Sequence, residues 1–306
     1  MTSEAQPLAP GVEVFDVPGR GLALRTPHGE FLDVTVPAEQ VPPLLDHLRG
    51  GGSAPPPRLL DAFAEAGFLG RPATWPAARR RVLVTGDAVL VDPLVALLAA
   101  AGAEPAAVGL DAVRELGLAA GAGPHPAAAK ADRAGGPDPA VRADGVAAVV
   151  WCCDGPAPRD WRLFEDALVE RGIAWQRCSR EGYQMYIEPV AAQPGDVLHE
   201  HVRLRRLATC VAHRHLAAYW TGGRIAGPHR LLGPAEAALV ASLLVADLRA
   251  WALGTYRGSR PAWVPGTRDR SGATLPPARR VRRVDLRDLT VTEHPVLPIP
   301  PVEPNR

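Results

Sequence analysis

Cysteine is scarce in this chain and poorly spaced for chemistry. The 306 residues hold four, Cys152, Cys153, Cys178 and Cys210, with no C-x-x-C pair among them, so neither a redox dithiol nor a zinc ribbon is encoded. They read as buried thiols in a reducing compartment. Net charge is also nearly absent. A formal balance of +1 supplies no bulk electrostatic attraction to nucleic acid or to a membrane surface. No apolar run approaches the roughly 20 residues that span a bilayer, and the opening MTSEAQPLAPG lacks the basic-then-apolar order of a secretion signal. The expectation is a cytoplasmic protein with no nucleic-acid and no membrane partner.

A further shortage lies inside a motif. Residues 81–104, RVLVTGDAVLVDPLVALLAAAGAE, run from three buried-strand residues, Val82, Leu83 and Val84, through one glycine into a helical apolar pattern. That is the first strand-turn-helix of a βαβ fold. A dinucleotide turn needs several glycines so that backbone N–H groups can approach a pyrophosphate. Gly86 stands alone and is followed by Asp87, Ala88, Val89 and Leu90. The motif predicts a Rossmann-like scaffold without nucleotide; Asp111, at about the spacing of a ribose-binding carboxylate, is weak support for the opposite view.

What is abundant is alanine, glycine and proline, with 30 Gly and 33 Pro beside a hydrophobic fraction of 47%. This length and composition allow two domains with long connections. Residues 12–17, 22–25 and 30–36 alternate and are separated by Pro/Gly turns, which predicts a three-stranded antiparallel sheet. Helical patterns follow at Val41, Leu44, Leu45 and Leu48, and again at Leu59, Leu60, Phe63, Ala64 and Phe68, joined by a proline-terminated link at residues 50–57. Residues 1–70 thus read as a small winged-helix-like module, residues 71–81 as a linker and residues 82–306 as a second domain. Within that domain residues 119–145 read as a long loop, residues 145–153 as a buried strand, residues 159–171 as a helix and residues 173–178 as another strand. Residues 199–220 and 234–253 read as long helices. The second is apolar nearly all round, which fits a homodimer interface or, by preference, a core helix. The segment VRRVDLRDLTV reads as an edge strand, followed by a proline-rich tail. The fold class is α/β, with an α+β amino-terminal module.

This order of parts, with the segment PGDVLHEHVRLRR and the tail EHPVLPIPPVEPN, resembles the ThiF-like partner proteins of YcaO-type azoline-forming cyclodehydratases, which serve biosynthesis of thiopeptides and other azole-containing ribosomal peptides. The resemblance covers nearly the whole chain and implies a degenerate ThiF-type domain. In zinc-containing relatives Pro194-Gly195 and His294-Pro295-Val296-Leu297 each precede a cysteine pair. Here His199 and Val202 fall where the first pair would be and residues 301–305 carry no cysteine, so the zinc is expected to be lost. His199, His201 and Cys210 are the only nearby ligand types.

The resemblance further implies that the amino-terminal module is a leader-peptide recognition element, in which a precursor's leader adds as a strand beside residues 30–36 and against the helix of residues 58–68. The implied contacts are Arg25, His28, Phe31, Leu32, Asp33, Val34, Thr35, Arg58, Asp61, Ala62 and Glu65, with Arg25, His28 and Arg58 attracting acidic side chains. It implies no catalytic residue, no ATP and no zinc in this chain, with catalysis in an ATP-dependent YcaO partner. The alternative is a divergent nucleotide- or nicotinamide-dependent enzyme. Other patterns lead nowhere: His213 and His215 sit at i, i+2 on a helix and point apart, and the basic run at residues 279–283 is followed by Asp285 and Asp288.

Overall fold

The computed structural model describes residues 7–51, 55, 57–118, 145–159, 161–222, 232–258 and 275–299. Two compact units divide them, one up to Thr74 and one from Trp75 onward. The long loop expected at residues 119–145 falls almost wholly outside the described residues. So do the end of the proline-rich tail and half of the link between the first two helices.

In the first unit β1 (Glu13–Val17), β2 (Gly21–Arg25) and β3 (Phe31–Val34) form an antiparallel meander with β2 in the centre. The turns depend on glycines with positive φ, Gly19 and Gly29 among them. Helices α1 (Val41–Leu48) and α2 (Pro57–Glu65) follow. Leu22, Leu24, Leu44 and Phe63 are buried together, with Leu32, Val34, Leu59 and Leu60 packed around them. The end of α2 shows why its sequence stops there. Gly67 takes φ 75°, its N–H donates to Ala64 O, and Phe68 N–H donates to Phe63 O at 2.8 Å. These paired bonds close a Schellman cap, and the Phe63 and Phe68 rings meet edge-on across it, 6.1 Å apart.

The second unit is a seven-stranded sheet with helices on both faces. Its strands are β4 (Arg81–Gly86), β5 (Glu104–Ala107), β6 (Ala148–Cys153), β7 (Ala174–Glu181), β8 (Gln184–Ile187), β9 (Arg280–Asp285) and β10 (Thr290–Pro295), in the order β10-β9-β8-β7-β6-β4-β5. β5, β4, β6 and β7 run parallel, and β8, β9 and β10 complete the sheet antiparallel. The alternation of strand side chains sorts two cores. Val82, Val84 and Val150 pack with α3 (Ala88–Ala100) and α8 (Pro234–Ala252). Leu83, Val149 and Trp151 pack with α4 (Leu110–Leu118) and α5 (Trp161–Glu170) on the other face. The fold is therefore mixed α/β and Rossmann-like.

Two expectations change here. The segment of residues 281–291 is not a single edge strand: β9 lies inside the sheet between β8 and β10, with Val281 and Val284 buried, and β10 forms the exposed edge. The helical stretch of residues 199–220 divides into α6 (His199–Thr209) and α7 (His213–Thr221), broken at residues 210–212. Helix α8 is a core element, burying Ala237, Val240, Ala241, Leu244, Leu248 and Trp251 at helical spacing. Among the described residues no helix is long and apolar enough to cross a membrane.

Candidate functional site

The crevice beyond β4 and β6 is where an open α/β sheet receives a ligand, because the strand order reverses there. In this chain the two strand ends are tied to each other there, with Gly86 and Asp87 exposed. Gly86 has φ 121°, and a Cβ on it would lie 1.8 Å from the Cys152 carbonyl oxygen. The Asp87 N–H donates to that same oxygen at 2.9 Å. The Asp87 carboxylate in turn accepts the Asp154 N–H at 2.6 Å, and Arg180 Nε donates to the Asp154 carboxylate. The turn glycine thus permits contact between two strand ends, and a carboxylate stands where phosphate oxygens would need bare N–H groups. Asp111 lies in the first turn of α4, its carboxylate paired with Arg114 at 3.1 Å.

One strand further along, beyond β6 and β7, lies an open cavity of about 520 Å³. Its lining comes from the turn before α5 (Arg159), the start of α5 (Arg162), the end of β7 (Ser179, Glu181), α6 (His199, Arg203, Arg206) and the end of α7 (Trp220). Beneath it Arg177, wholly buried, bonds Glu188 Oε2 through Nε at 2.7 Å and faces Glu165 at 3.3 Å. His199 Nδ1 is hydrogen-bonded to Glu188 at 2.8 Å, and its backbone N–H donates to Glu165 at 2.6 Å. Burial pushes the Glu165 carboxyl up, against the opposing pull of Arg177 and His199. Burial acts on Glu188 too, but there His199 and Arg177 outweigh it and hold its carboxyl below the usual range. On the wall Arg206 makes two bonds to Glu181, at 3.0 and 2.6 Å. Trp220 Nε1 donates to Glu181 at 2.8 Å, and the Arg206 guanidinium lies 4.0 Å from the Tyr186 ring centroid. Burial disfavours the Arg206 charge, yet the bonds to Glu181 raise its pKa. Of this network the sequence singles out His199 alone, and as a candidate zinc ligand; the arginines and glutamates around it are not anticipated.

The predicted peptide contacts lie in the first unit. Leu32 and Val34 point into its core, whereas Phe31 and Asp33 are exposed, and Phe31, 67% exposed, meets Phe15 edge-on. Thr35 lies just past β3 and His28 in the turn before it, both exposed. Arg25 stands opposite Glu13 at 3.6 Å, which shares its charge. Arg58, Asp61, Ala62 and Glu65 form one exposed face of α2 at i, i+3, i+4, i+7. With two carboxylates to one guanidinium, that face is not basic. β3 is an edge of its sheet, and no described strand pairs with its outer side. The Thr26 N–H donates to Glu30 O, so Leu24↔Leu32 and Leu22↔Val34 are the hydrogen-bonded pairs of the ladder. Alternation then turns the N–H and C=O groups of Phe31 and Asp33 outward.

Among the described residues no group of three or more His, Cys, Asp or Glu could hold a metal. The two positions that the resemblance assigns to the first cysteine pair have other employment. His199 is bonded to Glu188, and Val202 is buried with Val197, Val281 and Val296. His201 Nδ1 accepts the Leu198 N–H at the start of α6, and His294 reaches Thr292. Cys152, Cys153 and Cys178 are buried. The contact with Cys178, followed by burial, raises the Cys152 thiol, and burial raises Cys153, so both are inert as nucleophiles.

No protein-family model and no curated protein matches the chain. Solved structures do. A heterocyclase described in complex with substrate and cofactor matches with a TM-score of 0.56 and 13% identity, over 96% of this chain and 38% of that one. The heterocyclase TruD matches with a TM-score of 0.57 and 14% identity, over 95% and 41%. MccB of E. coli matches with a TM-score of 0.50 and 8% identity, over 96% and 94%. The chain thus spans about two fifths of the length of the two heterocyclases. At these identities the likeness establishes a shared fold.

Proposed function

We propose that this chain is a non-catalytic subunit that binds the leader of a ribosomal precursor peptide and presents it to a YcaO-type, azoline-forming cyclodehydratase, in the biosynthesis of a thiopeptide or related azole-containing peptide. The observation that carries the reading is the outer edge of β3. There the outward N–H and C=O groups of Phe31 and Asp33 lie on a strand that no described element covers. An extended peptide added at that edge gains main-chain hydrogen bonds, and side chains flanking the edge select its sequence. Leu32 and Val34 fix the strand from inside; Phe31, Asp33 and Thr35 border the incoming peptide; His28 and the α2 face of Arg58, Asp61, Ala62 and Glu65 bias its charge pattern. Because Asp61 and Glu65 outnumber Arg58, leader contacts along α2 are mixed in sign, and acidic side chains are drawn to His28.

The fold shared with two heterocyclases supports placing the chain in this chemistry. In this reading ATP belongs to the partner, which activates the backbone amide and closes Cys, Ser or Thr onto it in the cytoplasm. The carboxylate of Asp87 at the turn, bonded to the Asp154 N–H, argues against the alternative of a nucleotide- or nicotinamide-dependent enzyme, as does Val202 in its apolar cluster against zinc. The test is reconstitution. Precursor and cyclodehydratase encoded beside this chain should form azolines, read as loss of water by mass spectrometry, only when this protein is added. Equal azoline formation without it would end the proposal.

A further inference from the structure

The cavity beyond β6 and β7 has a charge imbalance that the proposed function does not use. Arg206 is held bidentate by Glu181 and is matched, whereas Arg177 lies between two carboxylates, Glu165 and Glu188, beneath the cavity floor. The remaining three guanidiniums are not matched. Arg162 and Arg203 share one carboxylate, Glu200, at 3.2 and 3.1 Å. Arg159, among the described residues, bonds only the carbonyl of Thr221. With the whole network counted, five guanidiniums face four carboxylates, and the three with the least pairing, Arg159, Arg162 and Arg203, have one carboxylate between them beside a concave space of about 520 Å³, a size suited to a small ligand.

These guanidiniums are held in place before any ligand arrives. Arg159 is tethered to the end of α7, and Arg203 is tied to Glu200 and lies over the Trp220 ring, 5.7 Å from its centroid. They come from three places: Arg159 from the turn before α5, Arg162 from the first turn of α5 and Arg203 from α6. A planar carboxylate satisfies guanidinium forks within its own plane. A tetrahedral phosphate directs its oxygens in three dimensions and so meets several forks at once. From this geometry we infer that the cavity binds a phosphate dianion, free or as the monoester of a small molecule, through Arg159, Arg162 and Arg203. The site lies one strand away from the switch-point crevice at Gly86 and Cys152. The inference stands whether or not the first unit binds a leader.

The experiment is isothermal calorimetry on the full chain in chloride buffer, with inorganic phosphate, a nucleoside monophosphate and succinate as separate probes. Arg159→Gln, and Arg203→Gln, which also removes the contact with the Trp220 ring, are measured beside the wild type after circular dichroism and melting temperature show them folded. The expected result is saturable one-to-one binding of phosphate or the monophosphate, weakened at least tenfold in each variant. Tighter binding of the monophosphate than of phosphate identifies an ester as the ligand, and the reverse identifies the free anion. Absence of saturable binding by both phosphate probes, binding undiminished in folded variants, or equal binding of succinate would overturn the assignment.

Discussion

Gly86 and Cys152 are in backbone contact that tolerates no side chain: a Cβ on Gly86 would lie 1.8 Å from the Cys152 carbonyl oxygen, and the φ of 121° lies where L-residues are strained. The lone turn glycine therefore serves the joint between β4 and β6. Gly86→Ala should lower stability by about 3 kcal/mol or more, the sum of backbone strain and a clash with main chain. Urea denaturation would show it as a lower midpoint at unchanged slope; a loss below about 1 kcal/mol would contradict the packing described.

Asp247 on α8 anchors the β9–β10 hairpin. It accepts from Arg280 and lies 2.8 Å from Arg282, and both arginines also reach Glu293, at 3.1 and 3.0 Å. Removing Asp247 leaves two buried guanidiniums with one partly exposed carboxylate. Asp247→Ala should therefore cost about 3–5 kcal/mol, and Asp247→Asn, which keeps an acceptor, clearly less. Equal losses in the two variants would show that charge pairing is not what holds the hairpin.

Glu188 and Glu165 should give stability opposite dependences on pH. The folded-state pKa of Glu188 is lowered, so its contribution is present above the ordinary carboxylate pKa of about 4.3 and is lost as the pH falls through the lower folded value. That of Glu165 is raised, so its contribution is present below about 4.3 and is lost as the pH rises through the folded value. Denaturation across the acid range should show the wild type gaining on Glu188→Gln as pH rises and losing ground to Glu165→Gln. Slopes of the same sign would refute the division.

What could be read from the sequence follows what is local. The strands of the first unit, their turns and the end of α2 at Gly67 are set by alternation and by glycines needing positive φ, all within a few residues. The alternation of residues 281–291 was legible as strand but not as interior strand, because the acid that neutralises Arg280 and Arg282 lies on α8. The division between α6 and α7 carries no Gly or Pro at residues 210–212. The cavity drew its arginines from separate elements, so no spacing announced it. One signal did exist: Arg177 sits inside an otherwise buried strand, and a buried cation requires carboxylates nearby.

The most direct measurement is fluorescence polarisation of a labelled leader, from the precursor encoded beside this protein, titrated with the full chain and with Asp33→Pro. The Asp33 N–H faces the free edge, so proline there removes a bond to the peptide and spares the ladder with β2, whereas Val34→Pro would break the sheet itself. The account predicts micromolar or tighter binding by the wild type and at least tenfold weaker binding by a folded Asp33→Pro variant. A wild-type chain that leaves the leader's polarisation unchanged, or a folded variant that binds as tightly as wild type, would contradict it.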